Sequence, residues 1–480
     1  MKRGKRSWGN TVWNFKQHEA GTAFVDDQGQ SLSYAQLIHE VDVFSSFLRQ
    51  RALVTVFCSN TIGAALGYIS CIQNRTICQL VSQELDDFLA DRLIETYQPD
   101  YLWLPATDPR ASSGTVLYKR FGYVLVEIGG SACAVAHEDL SLLLATSGST
   151  GSPKFVRLSY GNLRSNTSSI AKYLELTRED RPITSLPMNY SYGLSVINTH
   201  LFVGATIVLT TKGIMQKEFW TLFKNENCTS LSGVPYTYEM LNRLRFYRMD
   251  LPSLRTLTQA GGHLSHALQA KLSEYAQRSS IKLFIMYGQT EATARMSYVP
   301  PEYAERKIGS IGIPIPEGKF ELIDEEGNEI RDTQRQGELV YRGPNVSMGY
   351  AETRDDLARG DERNGVLLTG DLAKKDEDGF YYIVGRKKRF LKVYGNRVNL
   401  DELESLIRDE FDSAECACAG TDDHVYVFST EASIASAMRA YLAKKTGLYE
   451  KAFTPVVLDE IPKNESGKTL YSELSFYYES

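Results

Sequence analysis

The sequence predicts an α/β protein: a large N-terminal domain of stacked, mostly parallel βαβ sheets plus a small β-barrel, then a small α+β C-terminal domain. Three observations carry this. β-branched runs alternate with helical apolar spacing through the first half of the chain. Beyond about residue 305, short strands alternate with Gly and Pro turns. After about 390 the order becomes helix, strand, helix, strand. A chain of 480 residues exceeds one hydrophobic core. We therefore expect two domains, 1–386 and 387–480.

The elements follow in order. Residues 23–26 read as a strand closed by an Asp-Asp-Gln-Gly turn. Tyr34, Leu37, Val41, Phe44 and Leu48 recur at spacings of three and four, one apolar helical face. Strand 53–58 and helix 63–72 continue the alternation, as do strands 206–209, 254–259 and 282–286. Sheets of this kind place ligand sites at the carboxyl ends of their strands. Strands 320–324, 337–342 and 380–384 predict a small barrel or antiparallel sheet. The basic run Arg386-Lys387-Lys388-Arg389 marks the boundary. Helix 401–411, strand 425–430, helix 434–446 and strand 454–458 complete the C-terminal unit.

An apolar fraction of 42% and a charged fraction of 23% are those of a soluble globular protein. A net charge of −6 gives no support for a nucleic-acid partner. Seven scattered cysteines form no disulfide framework and favour a reducing compartment, the cytoplasm. Cys416 and Cys418 lie on one face of a strand and read as small buried apolar residues. No apolar run follows the basic N-terminus, so it is not a secretory signal. No stretch has the roughly 18 apolar residues of a membrane span. Nothing fixes the oligomeric state.

Three segments carry chemistry. The first is Thr146-Ser147-Gly148-Ser149-Thr150-Gly151-Ser152-Pro153-Lys154, after a buried strand. Its small residues let the backbone approach an anion. Its N–H and hydroxyl groups donate to phosphate oxygens, and Lys154 adds charge. It is not a Walker loop, because Lys154 follows Gly151 by three and precedes Phe155. Ser466-Gly467-Lys468-Thr469 imitates the end of one, but the required glycine is Pro462. The second segment, Met286-Tyr287-Gly288-Gln289-Thr290-Glu291, also follows a strand. There a carboxylate can hold Mg²⁺ against phosphate and Tyr287 can stack on a base. The third pairs Thr369-Gly370-Asp371 with Gly385-Arg386. A carboxylate and an Arg on neighbouring strand ends suit a ribose diol. Each segment alone also fits a solvated loop or a surface ion pair.

Together, in this order, the segments resemble the acyl-adenylate-forming superfamily of acyl-CoA synthetases, peptide-synthetase adenylation domains and luciferases. The nine residues ending at Lys154 match its Thr-Ser-Gly-Ser-Thr-Gly-x-Pro-Lys signature. Tyr287-Gly288-Gln289-Thr290-Glu291 resembles its Tyr-Gly-x-Thr-Glu motif. Gly337-Glu338-Leu339, Gly343 and Gly349-Tyr350 resemble the next block. Pro462-Lys463-Asn464 with Gly467-Lys468 resembles the last.

The resemblance implies ATP-dependent formation of an acyl-adenylate from a carboxylic acid, then transfer to a thiol of CoA or of a carrier-protein phosphopantetheine. It implies that Thr146, Ser147, Gly148, Ser149, Thr150, Gly151 and Lys154 hold the phosphates. Glu291 then binds Mg²⁺ beside Thr290, Asp371 and Arg386 fix the ribose, and Tyr287, Gly288, Gly261 and Gly262 lie about the adenine. Lys468 bridges carboxylate and α-phosphate. Lys388 is the hinge of a mobile C-terminal domain, and Lys392 enters the site after rotation. Lys387 and Arg389 are expected to be solvated.

Some features depart from the pattern. Tyr190 stands where many acyl- and aryl-CoA ligases carry a His. No Asp or Glu lies between 187 and 203, which disfavours an α-amino acid. Residues 366–368 replace the usual Trp, and the C-terminal unit is short, which keeps a carrier-protein acceptor open. Tyr190, Tyr192, Ser195, Gly233, Val234, His263 and Met286 are the substrate-pocket candidates. A non-catalytic relative should have lost charged motif residues; Lys154, Glu291, Asp371, Arg386, Lys392 and Lys468 are all present.

Overall fold

The computed structural model describes residues 12–129, 136–145, 154–387, 389–411, 415–463 and 469–478. An eight-stranded sheet forms the first layer. Its spatial order is Gly349–Ala351, Phe155–Ser159, Leu140–Ala145, Ile77–Ser82, Leu53–Cys58, Tyr101–Pro105, Tyr123–Glu127, Thr115–Arg120. The four central strands are parallel and the flanking ones antiparallel. Leu53–Cys58 is buried along its whole length, as a strand covered on both faces must be. The helix Ile62–Gln73 that crosses from it is buried all round.

A second sheet sets Ser230–Gly233, Thr256–Gln259 and Lys282–Tyr287 in parallel, with Ser297–Val299 and Ile313–Pro314 antiparallel beyond them. Thr22–Asp26 joins Ile207–Leu209 and Ser31–Ser33 in a three-stranded sheet. Where the sequence left a small barrel or an antiparallel sheet open, the structure has a four-stranded antiparallel sheet. Its order is Lys319–Ile323, Gly337–Arg342, Val366–Lys375, Tyr381–Arg386.

The C-terminal unit opens with a hairpin, Phe390–Val393 and Asn396–Asn399, concealed in the sequence by the basic run. Its two turn residues, Tyr394 and Gly395, have φ of 48° and 82°, the positive pair that a tight hairpin turn requires. Helices Leu400–Glu410 and Ala435–Thr446 pack on the strands Cys416–Thr421, His424–Ser429 and Phe453–Val457. Leu403, Ile407, Cys418, Val427, Met438 and Leu442 make a core of their own there.

Arg389 is not solvated as expected. Its guanidinium donates to buried Glu404 at 2.8 Å and pairs with Asp401, and it lies 3.7 Å over the Tyr471 ring. Tyr471 donates to the same Glu404 carboxylate at 3.0 Å. Lys387 is half-exposed but pairs with Glu338 at 2.7 Å.

Candidate active site

The turn after Lys282–Tyr287 is the centre of the site. It is fixed by a close approach: a Cβ at Gly288 would lie 1.9 Å from the Ala294 carbonyl oxygen. Only glycine fits there.

On one side the turn reaches the antiparallel sheet. Asp371, 4% exposed, is the cross-strand partner of Arg386, whose Nε lies 3.3 Å from Oδ1. Tyr287 Oη donates to Oδ2, and Gln289 Nε2 donates to the same oxygen and to the Thr369 carbonyl, each at 3.0 Å. Burial, and then the Asp371 charge, push the Tyr287 phenol well above its ordinary range, so it stays a donor. Three donors thus orient one buried carboxylate. The half-exposed Arg386 adds little to stability and leaves its guanidinium reachable.

On the other side the turn meets the loop 146–154. That loop connects neighbouring antiparallel strands, and its flanking residues Ala145 and Phe155 are cross-strand partners. Thr146, Ser147, Gly148, Ser149, Thr150 and Gly151 lie outside the described residues; Lys154 is within them. Its Nζ lies 3.4 Å from Glu352 and 4.0 Å over the Tyr350 ring. Tyr350 Oη donates to Glu291 Oε1 at 2.8 Å. Lys154 and Glu291 therefore meet on one tyrosine. That tyrosine is positioned by buried Arg157, which donates to the Tyr350 and Met348 carbonyls and pairs with Glu362 at 2.6 Å. Thr290 shares a hydroxyl–hydroxyl bond of 3.2 Å with Ser191.

The pocket candidates divide. Tyr190, Tyr192, Val234 and Met286 belong to one apolar cluster. Gly261, at φ +86°, lies where a Cβ would come 2.4 Å from Tyr190 Oη and 3.1 Å from Val234; a Cβ at Gly262 would meet Pro235. A Cβ at Gly233 would crowd Thr237 and Tyr238. Tyr192 Oη is committed to Thr258 at 2.8 Å, and Ser195 Oγ to the Tyr192 carbonyl at 2.6 Å. His263 is exposed, its ring 5.5 Å from His266, apart from that cluster.

Lys468 and Lys388 lie outside the described residues. The ends of the segment that carries Lys468 are placed: Lys463 bridges to Thr469, and Lys463 Nζ stands 4.7 Å over the Tyr236 ring, beside Val234 and Pro235. Lys392 is exposed on the hairpin. Among the described residues its ammonium makes no ion pair.

Sequence reasoning assigned no role to Gln289, Tyr350, Arg157 or Arg295. Gln289 and Tyr350 lay inside quoted motifs, and their placement there was the available signal. The two arginines gave none, because their burial depends on partners far along the chain.

Fold and site together define an adenylate-forming enzyme. The chain belongs to the AMP-binding enzyme family, whose model matches residues 12–351, and it is an AMP-forming acid–thiol ligase. It is 28% identical over 340 residues to 2-succinylbenzoate–CoA ligase of Bacillus subtilis, covering 69% of this chain and 68% of that one. It is 31% identical over 340 residues to indoleacetate–CoA ligase of Aromatoleum aromaticum, covering 68% and 65%. The match thus spans about two thirds of those relatives. Its fold resembles o-succinylbenzoate CoA synthetase from Bacillus subtilis in complex with an acyl-adenylate. The TM-score is 0.77 at 21% identity, over 96% of this chain and 97% of that one.

Proposed function

We propose that this chain uses ATP to convert a carboxylic acid to its acyl-adenylate and then passes the acyl group to the thiol of CoA. The observation that supports this most is that the one turn 287–291 touches both Asp371 and the Tyr350–Lys154 pair. It spans the distance from a ribose-type site to a phosphate-type site. The substrate carboxylate is already ionised. It attacks the ATP α-phosphorus, and the bond from that phosphorus to the bridging oxygen breaks to release pyrophosphate. No general base is required, so rate comes from alignment and charge neutralisation.

In this reading the 146–154 loop holds the β- and γ-phosphates, with Lys154 at its end. Asp371 and Arg386 hold the ribose. Gly288, Gly261 and Gly262 leave room for the adenine beside Tyr287. Lys468 bridges the reacting oxygens. Among the described residues no three His, Cys, Asp or Glu side chains gather. Glu291 with the phosphates themselves is the donor set that suits Mg²⁺, which supplies positive charge to the leaving pyrophosphate.

The unit 387–480 then turns about Lys388 and brings Lys392 in for the thiol step. The six described cysteines are free and buried, and no helix among the described residues is long and apolar enough to cross a membrane. We place the reaction in the cytoplasm. The names of the relatives run from oxalate to long-chain fatty acids, so this chain's own pocket must set the acid.

The test is carboxylate-dependent exchange of pyrophosphate into ATP over an acid panel, with CoA and a holo carrier protein supplied separately. Lys468→Ala should lose on the order of 10²–10³ in exchange, as for other lost charge-stabilising donors. Near-normal exchange in that variant sinks the assignment.

A further inference from the structure

Two arginines of the N-terminal part are fully buried, and they are treated differently. Arg157 is neutralised by Glu362 and by backbone carbonyls. Arg295 is 2% exposed, and among the described residues no carboxylate lies within ion-pair distance of it. Its Nη1 donates to Tyr173 Oη at 3.4 Å and to Met286 Sδ at 3.3 Å, both long and both neutral. Its guanidinium lies 4.7 Å from the centre of the Tyr192 ring, and its Nε has no hydrogen-bond partner. Burying a cation is costly unless a charge and full hydrogen bonding compensate it. A π face and a thioether recover only part of that cost. Packing alone would be served better by an apolar side chain of the same volume.

The location gives the cation a use. Met286 and Tyr192, which it touches, belong with Tyr190 and Val234 to the cluster at the carboxyl end of Lys282–Tyr287. Arg295 is four residues beyond Glu291 on the same stretch of chain. An acid whose reacting carboxylate lies near Glu291 would extend its remainder toward that cluster. A guanidinium offers paired parallel donors, which match a carboxylate better than any neutral polar group. Met286, unbranched and with rotatable bonds, is the side chain best able to move aside and admit it.

We propose that Arg295 recognises a second carboxylate on the substrate, so that the preferred acids are dicarboxylic. The inference rests on the acid-activating reading above and adds the substrate class. Arg295 here is a specificity-determining residue; the carboxylate bound to it is not the one adenylated.

The experiment uses the full chain and a chain-length series of linear dicarboxylates. Each is compared with its monomethyl ester and with the monocarboxylate of equal length, by pyrophosphate exchange. In the wild type, kcat/KM for the best diacid should exceed that for its monoester by about tenfold or more, the range for a lost partner to a buried charge. Arg295→Met should remove that preference, with most of the change in the diacid arm. Arg295→Lys, which keeps the charge and loses the fork, should fall between. Thermal unfolding and binding of a non-hydrolysable ATP analogue check that the variants fold. Should Arg295→Met fail to fold, the wild-type and Arg295→Lys arms decide alone. A wild type that uses monoesters or monocarboxylates as well as diacids overturns the proposal and leaves the acid-activating reading intact. An equal loss across all acids in Arg295→Met also overturns it, since that marks a packing role. If no acid supports exchange, the broader reading fails and this one with it.

Discussion

Tyr350 carries two jobs on one side chain, and they can be separated. Its hydroxyl donates to Glu291 at 2.8 Å, and its ring face supports Lys154 Nζ at 4.0 Å. Burial, and then the Glu291 charge, push the phenol up to about 12, so it remains a donor across the neutral range. Tyr350→Phe deletes the first job and keeps the second. A hydrogen bond to a charged group contributes about 1.5–3 kcal/mol. Tyr350 is half-buried, so about 2 kcal/mol is the expected loss, or about thirtyfold in kcat/KM for ATP. Tyr350→Ala also removes the ring, worth about 0.5–1 kcal/mol more, a further factor of about two to five. The assay is carboxylate-dependent pyrophosphate exchange at varied ATP. Because Tyr350 acts through Glu291, Tyr350→Phe should add little in a Glu291→Gln background. Exchange within twofold of wild type in Tyr350→Phe, or full additivity with Glu291→Gln, refutes the reasoning.

Other consequences can be checked directly. Asp371→Asn removes the acceptor shared by Tyr287, Gln289 and Arg386. It should raise the KM for ATP about tenfold and narrow the gap between ATP and its 2′-deoxy analogue; an unchanged gap argues against ribose binding there. Lys388→Pro should block thiol transfer while sparing pyrophosphate exchange, and equal loss of both steps would remove 388 as the hinge. Burial pushes buried His200 down to about 4. Its neutral form favours folding above pH 6.5, and that contribution is lost as pH falls from 6.5 toward 4. Denaturant unfolding should therefore show roughly 2 kcal/mol less stability at pH 5 than at pH 6.5 from this residue alone. A His200→Leu variant whose decline is as steep as the wild type's would discount it.

Much of the fold could be read from local pattern. Strand 53–58 was expected and observed at the same bounds, because six consecutive strand-forming residues admit little else. The helix read through Leu48 stops at Ser45, where Ser45 and Ser46 interrupt the apolar face. Ser230–Gly233 is a central strand made of Ser, Leu and Gly, which carries no strand signature by itself. Its pairing with Thr256–Gln259 holds it in place. Within the site, the Asp371–Arg386 pair followed from a motif, yet their meeting is a matter of sheet register. Tyr350 and Glu291 are 59 positions apart, and Arg157 reaches Glu362 across 205. No spacing rule spans such distances; only the folded backbone does.

The Arg389–Glu404–Tyr471 cluster has a mechanical meaning. Arg389 is one residue past the proposed pivot, and Tyr471 is three residues past Lys468. Both are fastened to the same buried carboxylate on helix Leu400–Glu410. The pivot and the chain that carries the reactive ammonium are thus two points on one stiff lever. A turn about residue 388 cannot leave Lys468 behind: whatever angle the backbone adopts there is delivered, undiminished, at the far end of the arm. Withdrawal of the adenylation lysine and arrival of the Lys392 hairpin become one motion, so the two half-reactions exclude each other in time.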